Sequence, residues 1–365
     1  MAKGILAILG SGETAPGMTR VHRELLSRLE TVRAVNLDST YGFQLNVPQM
    51  TTKLVEYFKV SLQTDLQPLS LTSYEEASGV ERELFRQGVR EATYVFAGPG
   101  SPSYALSQWK PLGLEQDLLE VLENAGSVCF SSAAALTLGS FTAPIYEVYK
   151  AGSPLNWLEG LNLMGLIGLN CVVIPHFNNN EGENYDTSCC YLGLQRLEQL
   201  EAMLPENTAT LGIDEHTALL IDLEAQTLSV TGKGNAYWRI NGVSRTLETG
   251  TTTPKDQLGS STTETSQRKV SKTDTQEATP LELAKIIEQG GEEALSALTK
   301  LVTFASTKAD QSIEQSQLIE SLIEIRLNLK AAGNYQVADN LRDALLSSGI
   351  KIEDTPDGTT WTNSN

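Results

Sequence analysis

Along the first 245 residues, short apolar runs alternate with longer amphipathic segments. The runs have the length of β-strands, whereas residues 18–29 and 47–58 repeat their apolar positions at helical spacing. This strand-and-helix order predicts an α/β domain with a mostly parallel, doubly wound sheet and helices on both faces. The predicted strands are GILAILG, RAVNLDST, TYVFAG, SVCFSS, CVVIPHF and ATLGID.

After Thr217 the pattern changes to two alternating segments, TALLIDLEAQTLSVTG and AYWRINGVSRTL, which are interrupted by turn residues. Such alternation predicts antiparallel hairpins at the edge of the sheet. Ligands of doubly wound sheets bind beyond the carboxyl ends of the parallel strands. Functional side chains are therefore expected in the loops that follow the predicted strands.

The pattern divides the chain into three parts: an α/β domain over residues 1–245, a linker and a tail. Residues 246–278 are rich in Thr, Ser, Gln, Lys and Asp and carry almost no apolar side chains, which predicts a flexible polar linker. Residues 279–365 regain helical periodicity, with Gly333 and Gly349 as helix stops. The tail is therefore predicted to be a small α-helical module.

Charge and composition exclude several classes of partner. The 365 residues contain 27 Lys and Arg against 45 Asp and Glu, a formal net charge of -18, so the surface repels nucleic acid and anionic lipid. No apolar stretch is long enough for a membrane helix, and the first residues resemble a strand more than a signal peptide. We expect a cytoplasmic protein that binds no membrane.

The four cysteines lie at no metal-ligand spacing, which favours reduced core thiols. The glycines of GSGETAPG are misplaced for a dinucleotide loop, and Asp38 is a weak candidate for its acidic residue. No zinc, phosphate-loop or calcium motif occurs. We therefore expect neither a cofactor nor a metal.

The segment CFSSAAA runs from an apolar strand into small residues and then a helical pattern. A strand-turn-helix sequence of this kind is typical of a nucleophile elbow, with Ser132 at the turn and its Oγ beside the free N–H groups of a helix N-terminus. The alternative is that Ser132 is an ordinary helix N-cap. The spacing alone leaves both interpretations open.

A serine nucleophile needs a base, normally a histidine that is oriented by a carboxylate. The chain has three histidines. His22 lies mid-helix beside arginines and is predicted to be a surface residue. His176 ends the strand CVVIP at the carboxyl edge of the sheet, and His216 directly follows Asp214 and Glu215. A structural role for either of these two remains the alternative.

Taken in order, these segments resemble the cyanophycinase and dipeptidase E group of serine peptidases, which have the class I glutamine-amidotransferase-like fold. The resemblance covers residues 1–245. It implies Ser132 in FSSAAA as nucleophile, His176 in PHF as base and Glu215 in GIDEHTA as orienting acid, with Asp214 as the fallback. By the same resemblance, N–H groups near three residues of the glycine loops and the elbow would receive the oxyanion: Gly12, Gly100 and Ala133.

Two features depart from that family. Phe130 and Ala134 replace the glycines of the elbow, and the arginines that follow H-F in the family are absent from NNNEGENYD. We therefore do not expect a preference for aspartyl dipeptides or cyanophycin. A polar pocket that includes Asn178 and Asn179, with Asn180 and Glu181, would suit a neutral or cationic ligand.

Residues 320–361 resemble a second family, the C-terminal helical segment of cysteinyl-tRNA synthetase, through YQVADNLRDALLSSGI and IEDTPDGTTW. The nucleotide-binding signatures and the zinc site of a synthetase do not occur. The tail is acidic, and its basic residues are expected to form at most a small patch, which makes tRNA binding an unfavoured prediction. That patch comprises Arg326, Lys330, Arg342 and Lys351. We expect the tail to dock on a protein.

Two hypotheses follow for the whole chain. The first is a serine-type hydrolase, a peptidase or amidase that acts on a small peptide or amide through an acyl-enzyme. The second is a non-catalytic binding protein with the same fold, in which the tail docks on tRNA or protein. An oligomer is compatible with either hypothesis, and the substrate is not specified by these patterns.

Overall fold

The structure is a computed structural model, and it describes residues 2–182 and 184–258 without interruption. Beyond them it describes the helical positions 323, 326, 327, 330, 342, 345 and 346 and the strand residues 350–355 and 358–363. The chain divides into two units, Met1–Thr263 and Glu264–Asn365.

The first unit alternates strands with helices over most of its length. Its strands are β1 Ile5–Leu9, β2 Ala34–Leu37, β3 Leu66–Leu69, β4 Tyr94–Ala97, β5 Ser127–Ser131, β6 Phe141–Thr142, β7 Leu158–Glu159, β8 Cys171–Ile174, β9 Ala209–Ile213, β10 Thr217–Asp222, β11 Thr227–Gly232, β12 Ala236–Ile240, β13 Val243–Leu247 and β14 Thr252–Pro254. Its α-helices are α1 Pro16–Ser27, α2 Val47–Tyr57, α3 Gly79–Glu91, α4 Pro102–Trp109, α5 Leu114–Glu123, α6 Ala133–Leu136, α7 Ile145–Tyr149, α8 Leu163–Leu166 and α9 Leu194–Glu201.

The largest sheet has eight strands in the order β14-β11-β10-β1-β5-β4-β2-β3. The strands from β1 to β3 in this order are parallel to one another. The order brings the ends of β1, β4 and β5 together at one edge of the sheet. The predicted α/β fold class with a largely parallel sheet and helices is confirmed.

Both faces of this sheet are buried, as strand β1 shows. Ile5, Ala7 and Leu9 pack in a cluster with helix α1, whereas Leu6 and Ile8 face the cluster that contains α3 and α5. Successive side chains of a strand point to opposite faces, so a strand covered by helices on both sides is apolar throughout. This explains why GILAILG is a continuous apolar run.

A second sheet of four strands, in the order β13-β12-β9-β8, corrects the expectation of a single sheet. β8 and β9 are parallel neighbours, as the apolar runs suggested, but the next partner of β9 is β12, which pairs with β13, and not a strand of the large sheet. The hairpin of β10 and β11 was predicted at an edge, yet β10 pairs directly with the central strand β1. The periodicity shows which segments are strands and leaves their partners open.

The predicted linker boundary at residue 246 also needs correction. Residues 246 and 247 end β13, and the chain then forms β14 and a 3-10 helix, Lys255–Leu258, whose Leu258 is buried in the large core. The short polar strand β14 is difficult to recognise from sequence because only one buried apolar side chain, that of Leu258, anchors this part of the chain. The remainder of the predicted linker, residues 259–278, lies outside the described residues.

In the second unit the described residues at 323–346 are helical, in keeping with the predicted helical periodicity. Two antiparallel strands follow, β15 Ile350–Thr355 and β16 Gly358–Asn363, where the sequence prediction was of a helical module. The predicted helical segment over 279–322 lies outside the described residues. At the described helical positions, Leu345 is fully buried.

Among the helices that the structure describes, none combines the length and apolarity needed to cross a bilayer.

Candidate active site

Strand β5 ends in a sharp turn that carries Ser132. The backbone of Ser132 has φ 53° and ψ -118°, outside the usual regions for a non-glycine residue, and helix α6 starts at the next residue. Its amide donates to the carbonyl of Leu9 at the end of β1. A strained serine between a strand and a helix is the geometry of a nucleophile elbow.

The substitutions of the elbow glycines are accommodated in the core. The ring of Phe130 is fully buried, 5.7 Å from that of Trp109, on the face of β5 that packs against helices. Ala134 is also fully buried, and its amide donates to the carbonyl of Gly98 at 3.3 Å. The elbow therefore forms in this chain without the glycines.

His176 lies just beyond the end of β8, where it bridges the two sheets. Its amide donates to the carbonyl of Gly10 after β1, and the amide of the next residue, Phe177, donates to Ile213 at the end of β9. The φ of His176 is 48°, so this residue too has a strained backbone. Hydrogen bonds to both neighbouring strand ends explain how the imidazole reaches the elbow from the second sheet.

Ser132, His176 and Glu215 form one chain of hydrogen bonds. Ser132 Oγ lies 2.9 Å from His176 Nε2, and His176 Nδ1 lies 2.7 Å from Glu215 Oε1. Partial burial raises the pKa of Glu215, but the hydrogen bonds from His176 and Asn179 and the nearby imidazoles outweigh it, so the pKa lies below its usual value. An ionised Glu215 can only accept, which assigns the Nδ1 proton to His176 and leaves Nε2 to accept from Ser132.

Asp214, the fallback acid, is directed away from this chain. It is buried and accepts hydrogen bonds from the amide of Asn235 at 2.8 Å and from the hydroxyl of Tyr237 at 3.2 Å. Burial raises the pKa of Asp214 more than these hydrogen bonds lower it. Of the two neighbouring carboxyl groups, the structure therefore places Glu215 on the histidine and Asp214 on the loop before β12.

Asn178 and Asn179 were predicted to line a ligand pocket, and the structure places their side chains on Glu215. The amide of Asn179 donates to Glu215 Oε1 at 3.2 Å, and the oxygen of Asn178 accepts from the backbone amide of Glu215 at 2.7 Å. Asn179 is buried, with 3% of its surface exposed. Both side chains therefore contact the acid, and their predicted contacts with a ligand stay a prediction.

The three predicted oxyanion donors lie in different surroundings. Ala133 is the first residue of α6, and among residues 2–182 and 184–258 its amide has no backbone acceptor. Gly100 lies in the loop that meets the elbow through Gly98, and a Cβ there would approach the Thr40 carbonyl oxygen to 1.9 Å. Gly12 lies against the ring of His216. Ala133 belongs to the elbow and the Gly100 loop contacts it through Gly98, and the oxyanion role of all three residues stays a prediction.

Within residues 2–182 and 184–258, the rings of the other two histidines form no hydrogen bond to the triad, although the His216 imidazole helps to lower the pKa of Glu215. His216 covers Gly12 and holds Ser11 through its backbone amide. His22, predicted on the surface, is fully buried instead: its Nδ1 lies 2.6 Å from the Tyr94 hydroxyl and its Nε2 lies 2.8 Å from the Glu13 carbonyl oxygen. Arginines that flank a histidine on a helix do not reveal which face the histidine occupies.

Three tyrosines beside the triad were not singled out from the sequence. The ring of Tyr191 lies 6.4 Å from that of His176 and 5.1 Å from that of Tyr149, and Tyr149 stacks on Tyr185 at 6.4 Å. We call Tyr149, Tyr185 and Tyr191 the tyrosine cluster. They come from α7 and the segment after β8, and no motif in the sequence links them.

Within the part of the chain that the structure describes, no group of three or more His, Cys, Asp or Glu side chains is arranged to hold a metal ion.

The fold is similar to that of a peptidase from an acI-B1 actinobacterium, with a TM-score of 0.54 and 20% identity over 69% of this chain and 97% of that one. A peptidase E protein from Listeria monocytogenes EGD-e gives a TM-score of 0.44 at 16% identity, over 63% of this chain and 99% of its own. No protein-family model matches the sequence. The predicted resemblance of the α/β domain to a peptidase is confirmed at the level of the fold.

Curated cysteine–tRNA ligases match a short segment of the chain. The ligase of Thermosipho africanus is 43% identical over 54 residues, which are 15% of this chain and 12% of the ligase. That of a Nitratiruptor species is 52% identical over 50 residues, 14% of this chain and 11% of the ligase. The predicted second resemblance is confirmed, and the chain spans only about a ninth to an eighth of the length of these ligases.

Proposed function

We propose that this chain is a serine-type peptidase or amidase that cleaves a small peptide or amide through an acyl-enzyme. The observation that carries the proposal is the continuous set of hydrogen bonds from Ser132 Oγ through His176 to Glu215, at 2.9 and 2.7 Å. Distances in this range permit proton transfer between a nucleophile and its base. The peptidase fold supports the same class of reaction.

In the proposed acylation, Ser132 Oγ attacks the substrate carbonyl carbon while its proton passes to His176 Nε2. Glu215 accepts a hydrogen bond from the Nδ1–H group throughout this step, and its negative charge stabilises the imidazolium that forms. The amide of Ala133, together with one from the Gly100 loop, would donate to the oxyanion, because such donors act where negative charge develops. His176 then returns the proton to the departing amine, and the Ser132 ester remains.

Deacylation repeats these steps with water. His176 removes a proton from water, the hydroxide attacks the ester carbonyl, and the proton returns to Ser132 Oγ as the acid product leaves. Ser132, His176 and Glu215 are only partly buried, so water and a small substrate have access to them. No group beyond these side chains and water is required for the balance of the reaction.

We also propose a cytosolic location. The four cysteines are free and buried, and burial raises the pKa of each thiol: Cys129 to about 12, Cys189 to about 11, and Cys171 and Cys190 further. Unpaired, unreactive thiols suit a reducing compartment.

A fluorophosphonate probe tests the hydrolase proposal without knowledge of the substrate. We expect it to label Ser132 in the full-length chain and to leave Ser132→Ala unlabelled, because the probe needs an activated serine. Ser39, a buried serine that donates to the Leu71 carbonyl, provides a matched control as Ser39→Ala, which should label like the wild type. Equal labelling of the wild type and Ser132→Ala, or none of either, would reject the proposal.

A second candidate function concerns the tail and rests on the charge of its residues. We propose that the tail docks on a protein. Arg326, predicted in a basic patch, is buried with 1% of its surface exposed, so that three of the four residues predicted in that patch, Lys330, Arg342 and Lys351, are left to face an anion. So few cations on a chain of net charge -18 would release few counterions from a nucleic acid.

Titration of the full-length chain against tRNA at low and at physiological salt tests this second proposal. We expect weak binding at low salt that disappears at physiological salt, without preference among tRNAs. Tight binding to one tRNA that is lost in Arg342→Ala would overturn the proposal and assign the tail to tRNA recognition.

A further inference from the structure

The tyrosine cluster lies directly against the catalytic imidazole. Tyr191 contacts His176 on one side and Tyr149 on the other, and Tyr185 extends the aromatic surface outwards, where 58% of it is exposed. The hydroxyls of Tyr149 and Tyr185 share a hydrogen bond of 2.6 Å. Three aromatic rings that begin beside the base and end in solvent form a surface along which a substrate side chain can lie.

The backbone beneath Tyr191 is held in a costly conformation. Cys189, Cys190 and Tyr191 have successive φ values of 56°, 60° and 65°, all in the left-handed region that disfavours side chains. The amides of Cys189 and Cys190 donate to the carbonyls of Phe177 and His176. Strain of this kind persists where a fixed side-chain position is needed, and here it fixes Tyr191 to the backbone of the base.

A carboxylate, that of Glu181, lies at the edge of the cluster. The hydroxyl of Tyr191 donates to Glu181 Oε2 at 2.5 Å, which makes the phenol oxygen and ring more electron-rich. Burial and this hydrogen bond both raise the pKa of Tyr191, so the phenol stays a protonated donor. On α7, Glu147 accepts a hydrogen bond from Ser103 through Oε1, and among the described residues its buried Oε2 has no hydrogen-bond partner.

No protein cation occupies these rings within residues 2–182 and 184–258. The cation–π contacts there are Arg82 over Tyr74 and Lys150 over Tyr146, and neither involves the cluster. Lys150 follows Tyr149 directly, yet its ammonium group lies 5.3 Å from the Tyr146 ring centroid. Electron-rich aromatic faces beside a carboxylate, without a cation of their own, are the surroundings that attract an ammonium or guanidinium group.

We propose that the tyrosine cluster and Glu181 bind a cationic side chain of the substrate, which makes this chain selective for amides of basic residues. The inference rests on the proposed hydrolase function, since it assigns the substrate class of the same site. The cluster would recognise both an ammonium and a guanidinium group, and the amides of lysine and arginine distinguish between the two.

The test measures binding in full-length Ser132→Ala, which needs no turnover. The ligands are the N-acetyl amides of lysine, arginine, norleucine and glutamate, titrated by calorimetry. Norleucine keeps the alkyl chain of lysine without its charge. We expect at least one of the two cationic amides to bind about tenfold more tightly than norleucine amide, and glutamate amide to bind most weakly.

Second substitutions in the Ser132→Ala background locate the site. Tyr191→Leu and Glu181→Gln should each remove most of the preference for the cationic amide, and Tyr185→Leu, at an exposed position with little effect on folding, should reduce it. Tyr146→Leu is the matched control on the same helix as Tyr149 and should keep the preference. Equal binding of lysine, arginine and norleucine amides, or equal loss of the preference in Tyr146→Leu and Tyr191→Leu, would overturn the inference.

Probe labelling separates failure of this inference from failure of the proposed function. If the wild type is labelled at Ser132 and cationic amides bind no better than norleucine amide, the hydrolase stands and the inference is wrong. If cationic amides are preferred but no labelling occurs, the cluster is a cation site of a binding protein and the hydrolase proposal is wrong.

Discussion

Two histidines in this protein make the same kind of contacts in two very different regions. His22 lies in the core with a tyrosine hydroxyl on Nδ1 and a backbone carbonyl on Nε2, and none of its surface is exposed. His176 lies at the sheet edge with a serine hydroxyl on Nε2 and a carboxylate on Nδ1, and 18% of its side chain is exposed. Each ring is held between a hydroxyl and an oxygen acceptor.

The two environments differ in whether they allow the imidazole to become protonated. Burial lowers the pKa of His22 to about 4, more than the hydrogen bond to the Glu13 carbonyl raises it, so His22 stays neutral. A carbonyl dipole cannot compensate for the burial of an imidazolium, whereas the ionised Glu215 beside His176 can. A histidine therefore acts as a base where a carboxylate and solvent are present, and as a packing residue where they are absent.

The largest expected effect comes from removal of the charge of Glu215, the carboxylate that lies beside His176 and has no equivalent on the ring nitrogens of His22. Glu215→Gln should lower the rate of fluorophosphonate labelling about 10³-fold or more, because an amide can donate to Nδ1 and select the wrong tautomer of His176. The rate is measured in a time course at fixed probe concentration.

Asp214→Asn provides the control for that measurement, since Asp214 is the neighbouring carboxyl group and bonds to Asn235 and Tyr237 instead. We expect its labelling rate to stay within about threefold of the wild type. Comparable losses in the two variants would show that the acid has been assigned incorrectly.

The next effect concerns the buried histidine. His22→Ala should lower the free energy of unfolding by about 3 to 4 kcal/mol, because it leaves a cavity and removes a partner from the buried Tyr94 hydroxyl. Urea unfolding followed by circular dichroism measures the change. His176→Ala, at the partly exposed site, should cost far less stability, and the opposite order would contradict the comparison.

The pH dependence of stability gives a smaller effect from the same ring. The pKa of His22 is about 4 in the folded chain and about 6.5 when unfolded, so the unfolded state binds more protons between these values and stability falls as the pH drops. From pH 7 to pH 5 this group should cost about 2 kcal/mol. His22→Gln, which cannot titrate, should show a correspondingly shallower decline, and equal declines would exclude His22 as the source.

The fold class could be predicted because the strands of the large sheet are covered on both faces, as GILAILG illustrates. The pairing of the strands could not be predicted, because β8 and β9 are as apolar as the strands of the large sheet. They belong to the second sheet, together with β12 and β13. Residues 252–258 were placed in a linker because their order depends on tertiary contacts: β14 pairs with β11, and Leu258 is buried in the core.

The triad residues could be named from local sequence because Ser132, His176 and Glu215 each closely follow a strand. Side-chain direction was beyond the same reasoning. Asn178 and Asn179 follow His176 and were therefore assigned to a ligand, but the turn after β8 directs both side chains towards Glu215. The tyrosine cluster depends on an unusual left-handed segment, which no residue pattern in SCCYLG indicates.

The smallest expected effect concerns the hydrogen bond from Asn179 to Glu215. Neither ring nitrogen of His22 bonds to a carboxylate, so His22 has no equivalent of this bond. Asn179→Ala removes the 3.2 Å hydrogen bond to Glu215, one of the interactions that lower the pKa of that carboxyl, so we expect about tenfold slower labelling and an acidic limb of the rate profile that moves to higher pH. Asn180→Ala, at an exposed neighbouring position, is the control and should leave rate and profile unchanged. A slower rate with an unmoved profile would mean that Asn179 only supports the loop. A shifted profile would instead show that the neutral side chain of Asn179 helps to keep Glu215 ionised. A hydrogen bond to the ionised carboxylate lowers its pKa without adding a second charge to the site.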